Sequence, residues 1–150
     1  MRLTNYTDYS LRLLIYLGSM KNDKLASIQE IADAYNISKN HLMKVAHELG
    51  KKNYIKTIRG RYGGLRLAKL PIDINVGEVV RGMEEDFHLV ECFDRETNTC
   101  IITPACRLKH VLHEALQAYF EVLDGYTLDD LIVNDDTLRQ LFDMNQKADQ

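Results

Sequence analysis

Between Ser27 and Leu67 the chain sets out two short helices and then a glycine-tipped ribbon, an order that few folds accommodate. Ser27-Ile28-Gln29-Glu30 is a capping-box pattern, with a serine to cap the helix start and a glutamate three residues on to reach back. Ile28, Ile31, Ala32 and Tyr35 then recur at helical spacing and give that short helix a buried face. Asn36-Ile37 makes the turn. Ser38 caps the next helix, whose Leu42, Val45, Ala46 and Leu49 face inward, with Gly50 near its end. Two β-prone runs follow, Tyr54 to Arg59 and Leu65 to Leu67, with Gly60-Arg61-Tyr62-Gly63-Gly64 as the tip between them. Pro71 closes the unit. Helix, short turn, helix and basic ribbon together predict a winged helix-turn-helix.

Charge gives this unit a purpose. The net charge is −3, but Met1–Ser38 carries 0, Lys39–Lys69 carries +8 and Leu70–Gln150 carries −11. A concentrated basic segment in a mildly acidic chain suggests a local polyanion site. A solvated charged face, or a helix-turn-helix used only for protein contact, is the competing reading; the motif beneath the charge favours nucleic acid. The major groove admits one helix, whose N-terminal residues meet base edges. Here those are Ser38, Lys39, Asn40, His41 and Lys44. Asn40 suits adenine and lysine suits guanine or phosphate, while a lone histidine such as His41 often serves packing. Arg59 and Arg61 on the ribbon can lie along the backbone or in the minor groove, and Arg66 adds a phosphate contact. The expected partner is double-stranded operator DNA.

The remaining segments build around this unit. Thr4 or Asn5 caps a first helix with the stripe Tyr9, Leu13, Tyr16, Leu17 and Met20, stopped by the polar stretch Lys21 to Lys24. Val76, Val79, Val80 and Met83 mark a helix over about Val76 to Glu84. A long helix starts near Cys106, with Leu108, Val111, Leu112, Ala115, Leu116, Tyr119, Val122 and Leu123 as a wide apolar stripe. A stripe that long exceeds what one small core covers, so a second copy is the expected cover and the protein is expected to be a homodimer. Thr127-Leu128-Asp129-Asp130 starts a last short helix, and the tail beyond Met144 reads as frayed. The expected fold is mainly α with a small β-wing: a winged helix-turn-helix plus a long dimerisation helix. The DNA-binding region spans 1–70, with its wing at about 54–69. The cysteine loop and dimerisation helix occupy 71–150 of the same compact domain.

Other classes are disfavoured. The apolar run Leu13 to Leu17 is too short to span a bilayer, and the first residues lack a signal-peptide pattern, so no membrane partner and a cytoplasmic location are expected. No nucleophile–base–orienter set and no phosphate-cradling loop is visible, so an enzyme is not expected.

Phe87 to Pro104 has no clear period and is ordered only if something holds it. It carries two of three cysteines, spaced Cys92-x7-Cys100-x5-Cys106. Three cysteines do not pair completely within one chain. Thiolate is a soft ligand for zinc or iron–sulfur centres. Zinc sites usually show close cysteine pairs, absent here, and would need a fourth ligand, for which His88, His110 and His113 are available. The residues alone leave open a cluster, a zinc or redox-thiol site, and inert thiols.

The opening Met1-Arg2-Leu3-Thr4-Asn5-Tyr6-Thr7-Asp8-Tyr9-Ser10-Leu11-Arg12 resembles the family of iron–sulfur winged-helix regulators that includes IscR and NsrR. So do the stretch Arg59 to Leu67 and the Ile74 to Glu84 helix, and the cysteine spacing with Pro104 and Cys106-Arg107-Leu108 looks like the NsrR branch. The resemblance covers about Met1 to Leu131. It implies a homodimeric repressor of nitric oxide detoxification and nitrogen-oxide metabolism genes, whose cluster reacts with nitric oxide so that operator binding is lost. Cys92, Cys100 and Cys106 match the family's cluster cysteines, and Asp8 matches its fourth ligand, supplied by the other protomer. Arg12 matches a residue near that carboxylate. Glu84 is matched to another, with the register around Glu84-Glu85-Asp86 left open. The cluster implied is 4Fe–4S in preference to 2Fe–2S. The alternative function is a zinc- or thiol-redox-dependent winged-helix regulator, and for Asp8 a plain helix-terminal role, since a carboxylate in a first turn complements the macrodipole without any metal.

Overall fold

The computed structural model describes residues 1–21 and 24–148, and in it the capping residues set the helix starts. Helix α1 spans Asn5–Gly18; Thr4 caps it by accepting from the Thr7 N–H. Glu84 in turn accepts from the Thr4 N–H at 2.7 Å and from its hydroxyl at 3.1 Å, fixing where α1 begins. Helix α2 spans Ile28–Tyr35, and both bonds of the Ser27/Glu30 capping box are made. Asn36 ends α2 in the left-handed region at φ 53°, a conformation that asparagine tolerates better than most side chains. Helix α3 spans Lys39–Lys51 behind its Ser38 cap.

Strands β1 (Ile55–Ile58) and β2 (Gly64–Leu67) pair antiparallel, with Lys56 opposite Arg66 and Thr57 opposite Leu65. Ala26 exchanges both backbone hydrogen bonds with Leu65, so the α1–α2 linker lies against the ribbon as a third extended backbone. Helix α4 covers Val76–Met83, and its Val76, Val79, Val80 and Met83 are all buried, as the spacing predicts. Helices α5 (Arg107–Asp124), α6 (Leu128–Leu131) and α7 (Asp135–Ala148) complete the chain.

The core lies where α1, α2 and α3 meet, around Leu13, Leu14, Ile31, Leu42, Val45 and Leu49. Val79 of α4 and Ile55 and Leu65 of the ribbon close it. Helix α5 stands outside. None of its residues is buried, and Leu108, Val111 and Val122 are more than half exposed. It meets α4 through Arg81, which grips Asp124 with two hydrogen bonds of 2.6 and 2.7 Å and lies over the Phe120 ring, 4.3 Å from its centroid.

Two expectations are corrected. Helix α1 stops at Gly18, so Met20 lies beyond it; the Ser19 hydroxyl and N–H both turn back onto the Ile15 carbonyl. Part of the expected polar stop, Asn22 and Asp23, lies outside the described residues. The C-terminal stretch is a helix through Ala148 rather than a tail frayed from Met144; Asp149 and Gln150 lie outside the described residues. Helix α7 folds back onto α2. Phe142 is buried against Tyr16 and Tyr35, with ring centroids 4.7 and 5.2 Å away, and Asn145 donates to the terminal carbonyls of α2 at Asp33 and Ala34. Long-range packing stabilises a helix whose own apolar stripe is sparse.

Candidate nucleic-acid interface and cysteine loop

Helix α3 buries Leu42, Val45, Ala46 and Leu49, and that choice turns the opposite face to solvent. Ser38, Lys39, Asn40 and Lys44 are exposed there. The Ser38 hydroxyl is committed to the helix cap, accepting from the His41 N–H at 3.4 Å. His41 is half-buried, its ring edge-on to Tyr9 of α1 at 4.9 Å, so it packs as well as faces outward. Two further residues on this face escaped the sequence reading, Met43 and His47, both exposed. Their signal was available: Asn40, Met43 and His47 follow helical spacing on the side away from the core. Lys51 adds less free charge than its type suggests, because it pairs with Glu48 at 3.0 Å. That bond holds the Glu48 carboxyl below the ordinary range.

The ribbon presents Arg59, Arg61 and Arg66, all exposed. Its tip is closed by the Gly63 N–H on the Gly60 carbonyl at 3.0 Å, with Gly60 at φ 115°. At Gly63 a Cβ would overlap the Ile58 carbonyl oxygen, so only glycine makes this turn. Arg61 lies over the ring of Tyr62, which is 84% exposed and free to meet a partner. Lys56 sits opposite Arg66 on the outer face of the ribbon, where the cross-strand register places it.

Helix α1 touches the reading helix through named side chains. The Tyr6 hydroxyl donates to the Lys44 carbonyl at 3.3 Å, and Tyr9 packs on His41. One turn along, Arg12 donates Nε to Asp8 Oδ1 at 3.0 Å and Nη2 to Oδ2 at 2.8 Å. The guanidinium lies between the rings of Tyr9 and Tyr35, 5.7 and 5.9 Å from their centroids. The Tyr35 hydroxyl donates to the Arg12 carbonyl at 2.8 Å, and burial pushes its pKa well above the ordinary value. Asp8 and Arg12 are therefore together, whereas Glu84 bonds Thr4 and meets α1 at its start.

The three cysteines are half-buried free thiols. Cys92 lies in a short 3-10 turn, Glu91–Phe93, and Cys106 follows another, Thr103–Ala105, directly before α5. Asn98 joins the middle: its Oδ1 accepts from the Cys100 N–H, and its Nδ2 donates to the Thr103 hydroxyl, which donates to the Cys100 carbonyl. Hydrogen bonds therefore hold the loop that lacked a period. Among the described residues, no three His, Cys, Asp or Glu side chains of the chain converge into a metal site. Cys92 also lines a cavity of about 480 Å³ with His88, His110 and His113.

The family described as Rrf2, iron-dependent transcriptional regulator, matches residues 3–134. The HTH-type transcriptional regulator NsrR of Shouchella clausii is 62% identical over 141 residues, covering 94% of this chain and 95% of that protein. Its Bacillus subtilis counterpart is 57% identical over 146 residues, covering 97% and 100%. Among solved structures, T. potens IscR superposes with a TM-score of 0.72 at 24% identity over 89% of this chain and 88% of that one. Oxidised Staphylococcus aureus CymR gives 0.73 at 24% identity over 89% and 97%. The last two likenesses bear on the fold, a winged helix with a small antiparallel ribbon. No helix among the described residues is long and apolar enough to cross a membrane.

Proposed function

The chain belongs to the Rrf2 family of transcriptional regulators, a DNA-binding winged-helix repressor and not an enzyme, and we propose that its repression is switched off by nitric oxide. In this reading a homodimer in the cytoplasm binds operator DNA while an iron–sulfur cluster is intact, 4Fe–4S in preference to 2Fe–2S. The relatives named NsrR and the cysteine spacing of that branch support it. The observation that carries it is the position of α1. Its Asp8 and Arg12 share one helical face with Tyr9, and Tyr9 packs directly on His41 of the reading helix.

The donor set fits such a group in kind and number. Cys92, Cys100 and Cys106 are free soft donors on one hydrogen-bonded stretch, and three thiols leave one position for a donor from elsewhere. These three would hold the cluster, with Asp8 of the other protomer as the fourth ligand. When bound, the cluster supplies iron that nitric oxide attacks.

The chain's own residues do the rest. Arg12 occupies one side of Asp8 and is itself fixed between Tyr9 and Tyr35, so displacement of Asp8 strains both rings. Tyr9 passes that displacement to His41, and Tyr6 passes it to the backbone at Lys44. Lys39, Asn40 and Lys44 then face the operator in a changed pose. Linkage is reciprocal, so operator DNA should also favour the intact site.

Anaerobic purification tests this. A coloured protein with iron and sulfide in stoichiometric amount, binding operator and releasing it on exposure to nitric oxide, is expected. A colourless protein that contains zinc, or one whose binding tracks thiol oxidation alone, would replace the cluster reading.

A further inference from the structure

A groove of about 380 Å³ runs between the end of α1, the α1–α2 linker and the outer face of the ribbon, and four cations line it. They are Lys24 of the linker, Lys56 of β1, Arg66 of β2 and Lys69 just past β2. Apolar residues such as Leu17, Met20 and Leu67 make up much of the remaining lining, and no carboxylate lines it among the described residues. None of the four cations has an ion-pair partner among the described residues. Five cations elsewhere, Arg12, Lys21, Lys51, Arg81 and Arg139, each hold a carboxylate, whereas these four stand together with none among the described residues. Unpaired like charges gathered in one groove repel one another, and a bound anion relieves that repulsion.

The placement identifies the anion. Lys56 and Arg66 are cross-strand neighbours, and their strands lead directly into the Gly60–Gly64 tip. Lys69 is held by its contact with the Tyr54 ring, 4.9 Å from the centroid, which orders it within the groove. The linker side is fixed too, because Ala26 is bonded to Leu65. A polyanion already lying on the ribbon reaches the groove by continuing along its outer face. A small isolated anion would use one or two of these cations; a phosphodiester backbone uses a row.

We propose that this groove binds duplex DNA outside the segment read by α3, taking the backbone phosphates that flank the operator. The proposal rests on the operator-binding reading and extends its footprint. It predicts that affinity depends on duplex length beyond the base-read segment.

Fluorescence anisotropy on the cluster-loaded dimer tests it. The probes are a short duplex carrying the site that the protein selects from a random-sequence pool, and the same site extended by about one helical turn at each end. The unmodified protein should bind the longer duplex on the order of tenfold more tightly at low salt, with a salt slope steeper by about 0.9 for each phosphate taken up. Lys24→Gln/Lys56→Gln should keep the affinity for the short duplex and lose most of that gain; adding Lys69→Gln should remove it. The double variant leaves the Lys69–Tyr54 contact intact, so its result stands whatever the triple variant does to stability. A double variant that gains as much from extension as the unmodified protein overturns the groove while leaving operator binding in place. Failure of the unmodified protein to bind either duplex overturns the operator reading, and the groove with it.

Discussion

Arg12 holds Asp8 in a two-point ion pair one helical turn apart on α1, with side chains 42% and 41% exposed. A pair this exposed stabilises a helix by only about 0.3–0.5 kcal/mol, so stability gives it little reason to be set between two tyrosines. A carboxylate offers about four lone-pair sites and Arg12 takes two, which leaves Asp8 able to accept a metal while the pair stays in place. Asp8→Ala should therefore change thermal stability little. It should alter the visible spectrum of the loaded protein and its rate of reaction with nitric oxide. Ligation across the dimer is checked by pairing an Asp8→Ala chain with one carrying alanine at all three cysteines. One complete site should survive in that mixed dimer. An Asp8→Ala homodimer with unaltered spectrum and reactivity would leave Asp8 with its helix-terminal role alone.

The cysteines make a separate prediction. They are half-buried, and the loop around Cys100 is tied by Asn98 and Thr103 side chains rather than by thiols. Cys92→Ala, Cys100→Ala and Cys106→Ala should each keep a folded dimer, with a thermal midpoint within roughly a few degrees of the unmodified protein. Each should lose stable iron and bind operator as weakly as the protein treated with nitric oxide. Full iron content in Cys100→Ala would remove the cluster assignment.

The helix starts and the ribbon were legible because they are local: Ser27 with Glu30, Ser38, and the Gly60–Gly64 tip each act within a few residues. The partners that define the site are not local. His41 lies on the reading face by spacing, yet its packing depends on Tyr9 in another helix. The stretch beyond Met144 reads as a frayed tail because nothing near it announces the Asp33 and Ala34 carbonyls that Asn145 meets, just as nothing near Phe142 announces Tyr16 and Tyr35. The cysteine spacing was visible, whereas the side chains that shape the loop around it, Asn98 and Thr103, carry no spacing signal of their own.

The wing tip gives a test of DNA reading. Arg61→Ala should weaken operator binding by about 1–3 kcal/mol if Arg61 enters a groove. Gly63→Ala should weaken it as well, because its Cβ collides with the Ile58 carbonyl and reshapes the tip without touching the core. Binding isotherms beside thermal melts separate the two effects. Unchanged operator affinity in both folded variants would take the wing out of the interface.

The α4–α5 junction gives a pH-dependent prediction. Hydrogen bonds from Arg81 hold the Asp124 carboxyl below the ordinary carboxylate range. Its stabilising contribution is fully present above the unfolded pKa of about 3.9 and is lost as pH falls through the lowered value in the fold. Asp124→Asn should melt below the unmodified protein at neutral pH, and the gap should close in acid below about pH 4. Gly77→Ala should behave similarly at neutral pH, since a Cβ at Gly77 would occupy the place of the Asp124 carboxylate. A gap that persists unchanged into acid would show that the ion pair is not what joins the helices.

Helix α7 gives the largest expected effect on stability. Phe142 is 7% exposed and fills the space between Tyr16 and Tyr35, so Phe142→Ala should cost about 3–5 kcal/mol, with Phe142→Leu costing less. Asn145 satisfies the Asp33 and Ala34 carbonyls at the end of α2, so Asn145→Ala should cost about 1 kcal/mol more on its own account. Denaturant midpoints measure both. The same packing bears on the α1 site. Tyr35 has Phe142 on one side and donates its hydroxyl to the Arg12 carbonyl, so loosening α7 frees one wall around the Arg12 guanidinium. Phe142→Ala should therefore also speed the reaction of the loaded protein with nitric oxide, and Asn145→Ala, which leaves Phe142 in place, should do so much less. A Phe142→Ala protein with an unchanged midpoint would mean that α7 is not seated on α1 and α2. One destabilised but unchanged in reactivity would mean that Tyr35 is held without help from α7.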